Sequence, residues 1–217
     1  MKHLKILFLD WSGTISGSKF WGHLEDPKHP NHSIYSKTQK FLFEENRHLL
    51  DPWMRGLVTS EIILDKIAEN TEISFDVLLE EFVNSCKRMK YSTDRFIKLI
   101  TQIRHLGLKV VIATDNMDSF PRWTVPALGL EKIFDDILDS YTLKVIKRDF
   151  DAKGTSLFFS DYLHSVGISP RDCLLIDDSE DKGDKIQNYG IEYHRIEPIV
   201  GLEPELISII NKQAKQP

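Results

Sequence analysis

Three short apolar runs each stop at an acid or a hydroxyl, and that pattern organises the chain. Leu4-Lys5-Ile6-Leu7-Phe8-Leu9 ends at Asp10, and the chain then turns through Ser12-Gly13-Thr14. Leu108-Lys109-Val110-Val111-Ile112-Ala113 ends at Thr114-Asp115-Asn116. Cys173-Leu174-Leu175-Ile176 ends at Asp177-Asp178-Ser179, and a fourth run, Ile191 to Ile196, follows Gly190. Runs of Leu, Ile and Val bounded by turn residues have the composition of strands buried on both faces of a parallel sheet.

Helical spacing separates the runs. Phe96, Leu99, Ile100 and Ile103 share one helical face, with Thr93 as a capping hydroxyl and Gly107 as the stop. Pro121 suits the first turn of a helix that Gly129 ends. Phe158, Phe159, Tyr162, Leu163 and Val166 form another stripe, closed by Gly167, and a further helix is expected from about Asp181 to Tyr189. This alternation predicts an α/β fold: a doubly wound parallel sheet, Rossmann-like in its layering.

Residues 16–90 break the alternation, because they hold no strand pattern. Ser74 precedes a stripe of Phe75, Leu78, Leu79, Phe82 and Cys86, and Thr59 or Ser60 precedes Ile62, Ile63 and Ile67. The stretch from Tyr35 to Leu50 also reads as helical, and Pro27, Pro30 and Pro52 punctuate the joins. The expected division is a core of residues 1–15 and 91–217 and a helical cap of residues 16–90 inserted after the first strand. An insertion there lies over the strand's carboxyl end and can cover a site as a lid.

Composition narrows the partners. The 217 residues carry a net charge of −5, with 41% apolar and 28% charged residues, which is ordinary for a soluble domain. The acidic balance argues against a nucleic-acid backbone as partner. It leaves room for a small phosphorylated metabolite, which needs only one or two local cations and a metal. Cys86 and Cys173 lack metal-ligand spacing and read as core residues, and sparse cysteine fits a reducing compartment. The first apolar run is too short for a signal core or a membrane span, so the expectation is a cytoplasmic protein with no membrane partner. Monomer and dimer are equally compatible with the sequence. His23, His29 and His32 lack regular ligand spacing and read as a solvated loop.

In a parallel sheet the three polar run-ends share one edge, where ligands of open α/β sheets bind. Phosphoryl transfer needs a nucleophile, donors for the phosphoryl oxygens and a divalent cation. Asp10 supplies a carboxylate nucleophile and Thr114 a hydroxyl donor. Asp178, with Asp177 beside it, supplies hard oxygen ligands for Mg²⁺. Asn116 either assists at the phosphoryl site or caps the following turn, and Trp11 either packs or touches substrate.

These residues resemble the haloacid dehalogenase superfamily, most of whose members are Mg²⁺-dependent phosphatases. Asp10-Trp11-Ser12-Gly13-Thr14 matches the first motif at its nucleophile and Gly-Thr, Thr114 matches the second, and Asp177-Asp178-Ser179 matches the acidic fourth. The resemblance implies a third-motif lysine that neutralises phosphate and nucleophile. Spacing back from Asp177 places it at Lys153 of Lys153-Gly154-Thr155-Ser156, with Lys144 and Lys147 as alternatives. Asp10, the Ser12 carbonyl and Asp178, with Asp177 adjoining, become the expected metal ligands. Gly13, Thr14, Asp115 and Asn116 become the expected substrate-binding positions.

Ser12 is the departure. Phosphatases of this superfamily carry a second Asp there, as general acid to the leaving oxygen and then base for water. A serine hydroxyl titrates far from neutrality, so a proton shuttle normally worth about 10²–10⁴-fold in rate is missing. The leading expectation is an Mg²⁺-dependent phosphoryl-transfer enzyme suited to leaving groups that need no proton. Carbon–phosphorus or carbon–halogen cleavage is a second reading. The former needs a cap lysine such as Lys66, Lys87 or Lys90, and the latter needs no acidic metal pair. A third reading is a phospholigand-binding or regulatory protein with impaired catalysis.

Overall fold

The computed structural model describes residues 4–214. Five strands form one parallel sheet: β1 (Ile6–Leu9), β2 (Lys109–Thr114), β3 (Asp136–Asp139), β4 (Cys173–Asp177) and β5 (Glu192–Arg195). Their order is β3-β2-β1-β4-β5. β1 is central, and Leu7 faces Val110 on one side and Leu174 on the other. All four β1 residues are fully buried.

Side chains alternate between the sheet's two faces. Leu7, Leu9, Val110, Ile112, Leu174 and Ile176 join the apolar layer that holds Phe96, Leu99 and Ile103 of the helix Phe96–His105 and Leu206 of the helix Leu202–Gln213. Ile6, Phe8, Val111 and Leu175 join the opposite layer with Phe159, Leu163 and Ile186. Helices on both faces of an all-parallel sheet make the Rossmann-like, doubly wound architecture that the run pattern predicts.

The differences from the sequence reading are local. β3 escapes a hydrophobicity scan because only Ile137 and Leu138 separate its two aspartates, and as an edge strand it needs less apolar surface. The helix Leu202–Gln213 also escapes that reading. Arg95, not Thr93, takes the cap position of the helix Phe96–His105, while Thr93 bonds Glu203. The helix before Gly190 is shorter than expected, Lys185–Tyr189.

Between β1 and β2 the described residues form helices and no strand. His32–Gln39, Leu50–Met54, Ser60–Thr71 and Phe75–Lys87 are α-helical, and Lys40–Glu45 is a π-helical turn. Trp21, Trp53, Leu64, Leu78 and Phe82 form an apolar cluster that Met117, from beyond β2, also joins, with the Trp21 and Phe82 rings 4.8 Å apart. Thr59 and Ser74 hold the expected cap positions without a side-chain capping bond. The Ser60 hydroxyl instead donates to Asp118 at 2.6 Å. No helix is long and apolar enough to cross a membrane among the described residues.

Candidate active site

The polar ends of β1, β2 and β4 meet at one sheet edge. Asp10 follows Leu9, and its amide still donates to Ile176 of β4 at 3.0 Å. The carboxylates of Asp10, Asp177 and Asp178 each offer an oxygen within 4.8 Å of the others. The chain leaves Asp10 through a tight turn in which the Gly13 amide donates to Ser16 and the Ser16 amide to Trp11, both at 2.8 Å. Gly13 has φ +80°, and a Cβ there would lie 2.3 Å from Asp178 Oδ2. Only glycine lets the Asp178 carboxylate lie over this turn.

The cation of the cluster is Lys147. Its ammonium donates to Asp10 Oδ1 at 2.6 Å and to Asp177 Oδ2 at 2.5 Å, from a side chain only 9% exposed. The expected Lys153 is corrected. It lies exposed on a turn in which Asp151 Oδ1 takes the amides of Lys153 and Thr155, and it does not line the cavity over the carboxylates. Lys144 is also elsewhere, over the Tyr141 ring at 4.1 Å. Counting back from Asp177 failed because that exposed turn adds residues between the lysine and β4.

Burial and charge act against one another here. Burial pushes the Asp10 carboxyl up to about 7; the Lys147 ammonium opposes this, and the Asp177 charge adds to it. Burial also works against a charged Lys147, but Asp10, Asp177 and Asp115 outweigh it and hold the ammonium well above its usual range. Burial works against ionised Asp177 as well; Lys147 and the Ser179 amide reverse that and lower it. Asp178 is raised, by burial first and by the Asp177 charge next.

The remaining expected residues divide into two groups. Thr114 ends β2 fully buried, and its Oγ1 has no hydrogen-bond partner among the described residues. The strand register puts it at the same sheet edge as Asp10, since Leu9 pairs with Ile112, though it does not line the cavity itself. Asp115 lines the cavity, and its Oδ1 takes the Lys147 amide at 2.8 Å. Asn116 is engaged locally: its Oδ1 takes the Met117 amide at 2.9 Å. Trp11 packs, 1% exposed, with its indole N–H on Met89 and its ring near Phe120. Thr14 is buried, while Ser12 is exposed at the cavity.

The cavity over the cluster measures about 330 Å³. Besides Asp10, Ser12, Asp115, Lys147 and Asp177, its walls include Arg148, Lys182 and Tyr193. Sequence reasoning found none of those three, since each stands in a turn or edge strand without a motif. A larger cavity of about 540 Å³ lies in the helical insertion, between Lys37, Lys66 and Glu72, and holds none of the converging carboxylates. The three histidines do not converge: His23 pairs with Glu81 and His32 with the Leu24 carbonyl.

The donor set suits a small hard cation. Both Asp177 oxygens are engaged, one by Lys147 and one by the Ser179 amide. Asp10 retains Oδ2, and Asp178 stands beside it. Two carboxylates and a backbone carbonyl are the ligands that Mg²⁺ takes while keeping several waters.

No protein-family model matches the chain, and no curated protein matches it. Solved structures do. The HAD-family enzyme BT-2542 from Bacteroides thetaiotaomicron, in complex with magnesium and inorganic phosphate, is 18% identical with a TM-score of 0.65, covering 90% of this chain and 95% of that one. A predicted HAD-like family hydrolase from Porphyromonas gingivalis covers 99% of both chains at 12% identity and a TM-score of 0.67. L-2-haloacid dehalogenase from Xanthobacter autotrophicus, with chloropropionic acid covalently bound, is 13% identical with a TM-score of 0.58, covering 89% and 77%. At such identities the likeness is one of architecture, and the chain carries the fold of the haloacid dehalogenase family.

Proposed function

We propose that the chain is a Mg²⁺-dependent phosphoryl-transfer hydrolase acting on a small phosphorylated metabolite, with Asp10 as nucleophile. One observation carries this reading: Asp10, Asp177 and Asp178 gather at one sheet edge around the Lys147 ammonium, with the unpartnered Thr114 hydroxyl at the same edge. The metal complex of BT-2542 with inorganic phosphate supports it by analogy. Asp10, Asp178 and the Ser12 carbonyl would hold the cation. When bound, Mg²⁺ offsets the negative charge shared by carboxylate and phosphate.

The chemistry of the chain's own residues then follows. Asp10 attacks phosphorus, the bond to the leaving oxygen breaks, and an aspartyl-phosphate forms as that oxygen departs. Water attacks the same phosphorus, the bond to Asp10 breaks, and phosphate leaves with the carboxylate restored. Lys147 favours ionised Asp10 and faces the phosphoryl group, and Thr114 donates to a phosphoryl oxygen. Ser12 can donate a hydrogen bond but not a proton at neutral pH. Acyl and aryl phosphates, whose leaving groups depart as anions, are therefore the favoured substrate chemistry. The acidic trio favours metal-assisted phosphoryl transfer over carbon–halogen cleavage, which has no use for it.

The test is turnover of acyl, aryl and alkyl phosphates by purified protein, with Mg²⁺ and with chelator. Acyl or aryl phosphates should be hydrolysed only with Mg²⁺, and Asp10→Asn should abolish this. Activity that survives Asp10→Asn sinks the mechanism. Phosphate binding without turnover of any class would instead favour a phospholigand-binding protein.

A further inference from the structure

The turn that carries Lys147 is held from outside the cavity. The Asp149 amide donates to the Ile146 carbonyl at 2.9 Å, closing a β-turn with Lys147 and Arg148 at its two central positions. The Asp149 carboxylate takes the Ile146 amide at 3.0 Å, and Asp115 takes the Lys147 amide. Arg55 follows the helix Leu50–Met54 of the insertion. It grips Asp149 with two prongs, one guanidinium N–H to each carboxylate oxygen, the second at 3.0 Å. Its Nε–H donates to Asp51 at 2.8 Å, and Asp51 also takes Arg148 at 3.4 Å. Two successive residues after Lys147 are thus tied to one short helix of the insertion.

Three observations make this more than a surface ion pair. The Arg55 and Asp149 side chains are 25% and 21% exposed, and their contact is bidentate, the geometry that gives Arg–carboxylate pairs strength and direction. The insertion seats its backbone here as well: a Cβ on Gly56 would lie 2.8 Å from the Tyr141 carbonyl oxygen. Arg55 does not line the cavity, and all three of its donor nitrogens are turned to Asp51 and Asp149. That leaves it placed to hold the turn, not the ligand.

We infer that Arg55 is a positioning residue: through Asp149 it fixes the turn that sets the Lys147 ammonium between Asp10 and Asp177. The helical insertion thereby shapes the site without contributing a wall to the cavity. The catalytic consequence rests on the reading of Lys147 as the phosphate-facing cation; the mechanical linkage does not.

The experiment separates the two. Acetic anhydride trace labelling with peptide mass spectrometry reads the reactivity of the Lys147 amine, normalised to exposed Lys98. Loss of a charge-assisted pair should let the turn open more often, raising Lys147 labelling about tenfold in Arg55→Ala and in Asp149→Asn. Arg55→Lys, which keeps the charge without the fork, should fall between them and the wild type. Arg104→Ala, which removes a bidentate pair with Asp135 elsewhere, should leave Lys147 protected. Unchanged Lys147 labelling in both Arg55→Ala and Asp149→Asn overturns the inference. If Arg55→Ala does not fold, Arg55→Lys and Asp149→Asn decide.

Calorimetry with inorganic phosphate and Mg²⁺ supplies the second readout. Arg55→Ala and Asp149→Asn should weaken phosphate binding about tenfold alike, and the double variant should be no weaker than either. Weakened phosphate binding with unchanged labelling would make Arg55 a direct ligand contact, which also overturns the positioning role. Lys147→Ala with wild-type phosphate affinity would remove the functional reading of the site while leaving the labelling result to judge the linkage.

Discussion

At the residue scale the question is what one missing carboxylate costs. Ser12 stands two positions after Asp10, exposed at the cavity, where a proton for the leaving oxygen would come from. If only that proton is lacking, Ser12→Asp should raise turnover of alkyl phosphates by about 10²-fold and help aryl phosphates far less. Steady-state rates on a matched alkyl and aryl pair measure this. Equal gains on both would point instead to the second step, in which the restored carboxylate acts as base for water and the leaving group has already gone. Ser12 and its neighbours are legible in sequence because a strand end, a turn glycine and an acid are local features. Lys147 is less legible. It is one of three nearby lysines, and only the turn at Ile146–Asp149 selects it.

At the element scale several contacts fasten the insertion to the core, and two of them carry predictions. The first is Asp118, fully buried just beyond β2, which takes the Trp53 indole N–H at 2.7 Å, the Ser60 amide and hydroxyl, and Arg122. Asp118→Ala would strand several buried donors, each costing about 1–3 kcal/mol, so unfolding should shift by about 3 kcal/mol or more. A denaturant midpoint within error of wild type would show that the hub carries no load. The second is Arg55 on Asp149. Burial works against ionised Asp149, but Arg55 reverses this and lowers its pKa below the ordinary 3.8. A depressed carboxylate contributes stability above its unfolded pKa and loses it as pH falls through the folded one. The melting-temperature difference between wild type and Arg55→Ala should therefore be full at pH 7 and shrink below about pH 4. A difference that stays constant down to pH 2 would argue against the ion pair as its source.

At the scale of the whole molecule the site is a store of like charge. Asp10, Asp115, Asp177 and Asp178 surround the Lys147 ammonium, and both Asp10 and Asp178 are pushed up by burial and by neighbouring acids. A cation that binds only the folded arrangement should stabilise the fold by mass action, about 2.7 kcal/mol at a hundred times its dissociation constant. Thermal unfolding with millimolar Mg²⁺ and with chelator measures this, and Asp178→Asn should abolish most of the shift. An unchanged midpoint across Mg²⁺ concentrations would count against a metal site. β1 shows why the core tolerates such a cluster. Its four residues are fully buried between β2 and β4, and each large side chain contributes about 1.5–3 kcal/mol.

The sequence by itself determined the strands β1, β2, β4 and β5, the helical stretch after β1, and the carboxylates and hydroxyl that end three of the strands. These follow from runs and periods a few residues long, where burial on both faces leaves a plain compositional mark. β3 left no such mark, because an edge strand of two apolar residues between aspartates needs none. Tertiary structure alone decided which lysine faces Asp10, because the turn that selects Lys147 depends on partners far along the chain. Asp177 lies 30 residues from Lys147, Arg55 lies 94 from Asp149, and Ser60 lies 58 from Asp118. Such pairs are set by how the insertion packs on the sheet edge, and a single sequence holds no local signal for a contact made only when distant segments meet.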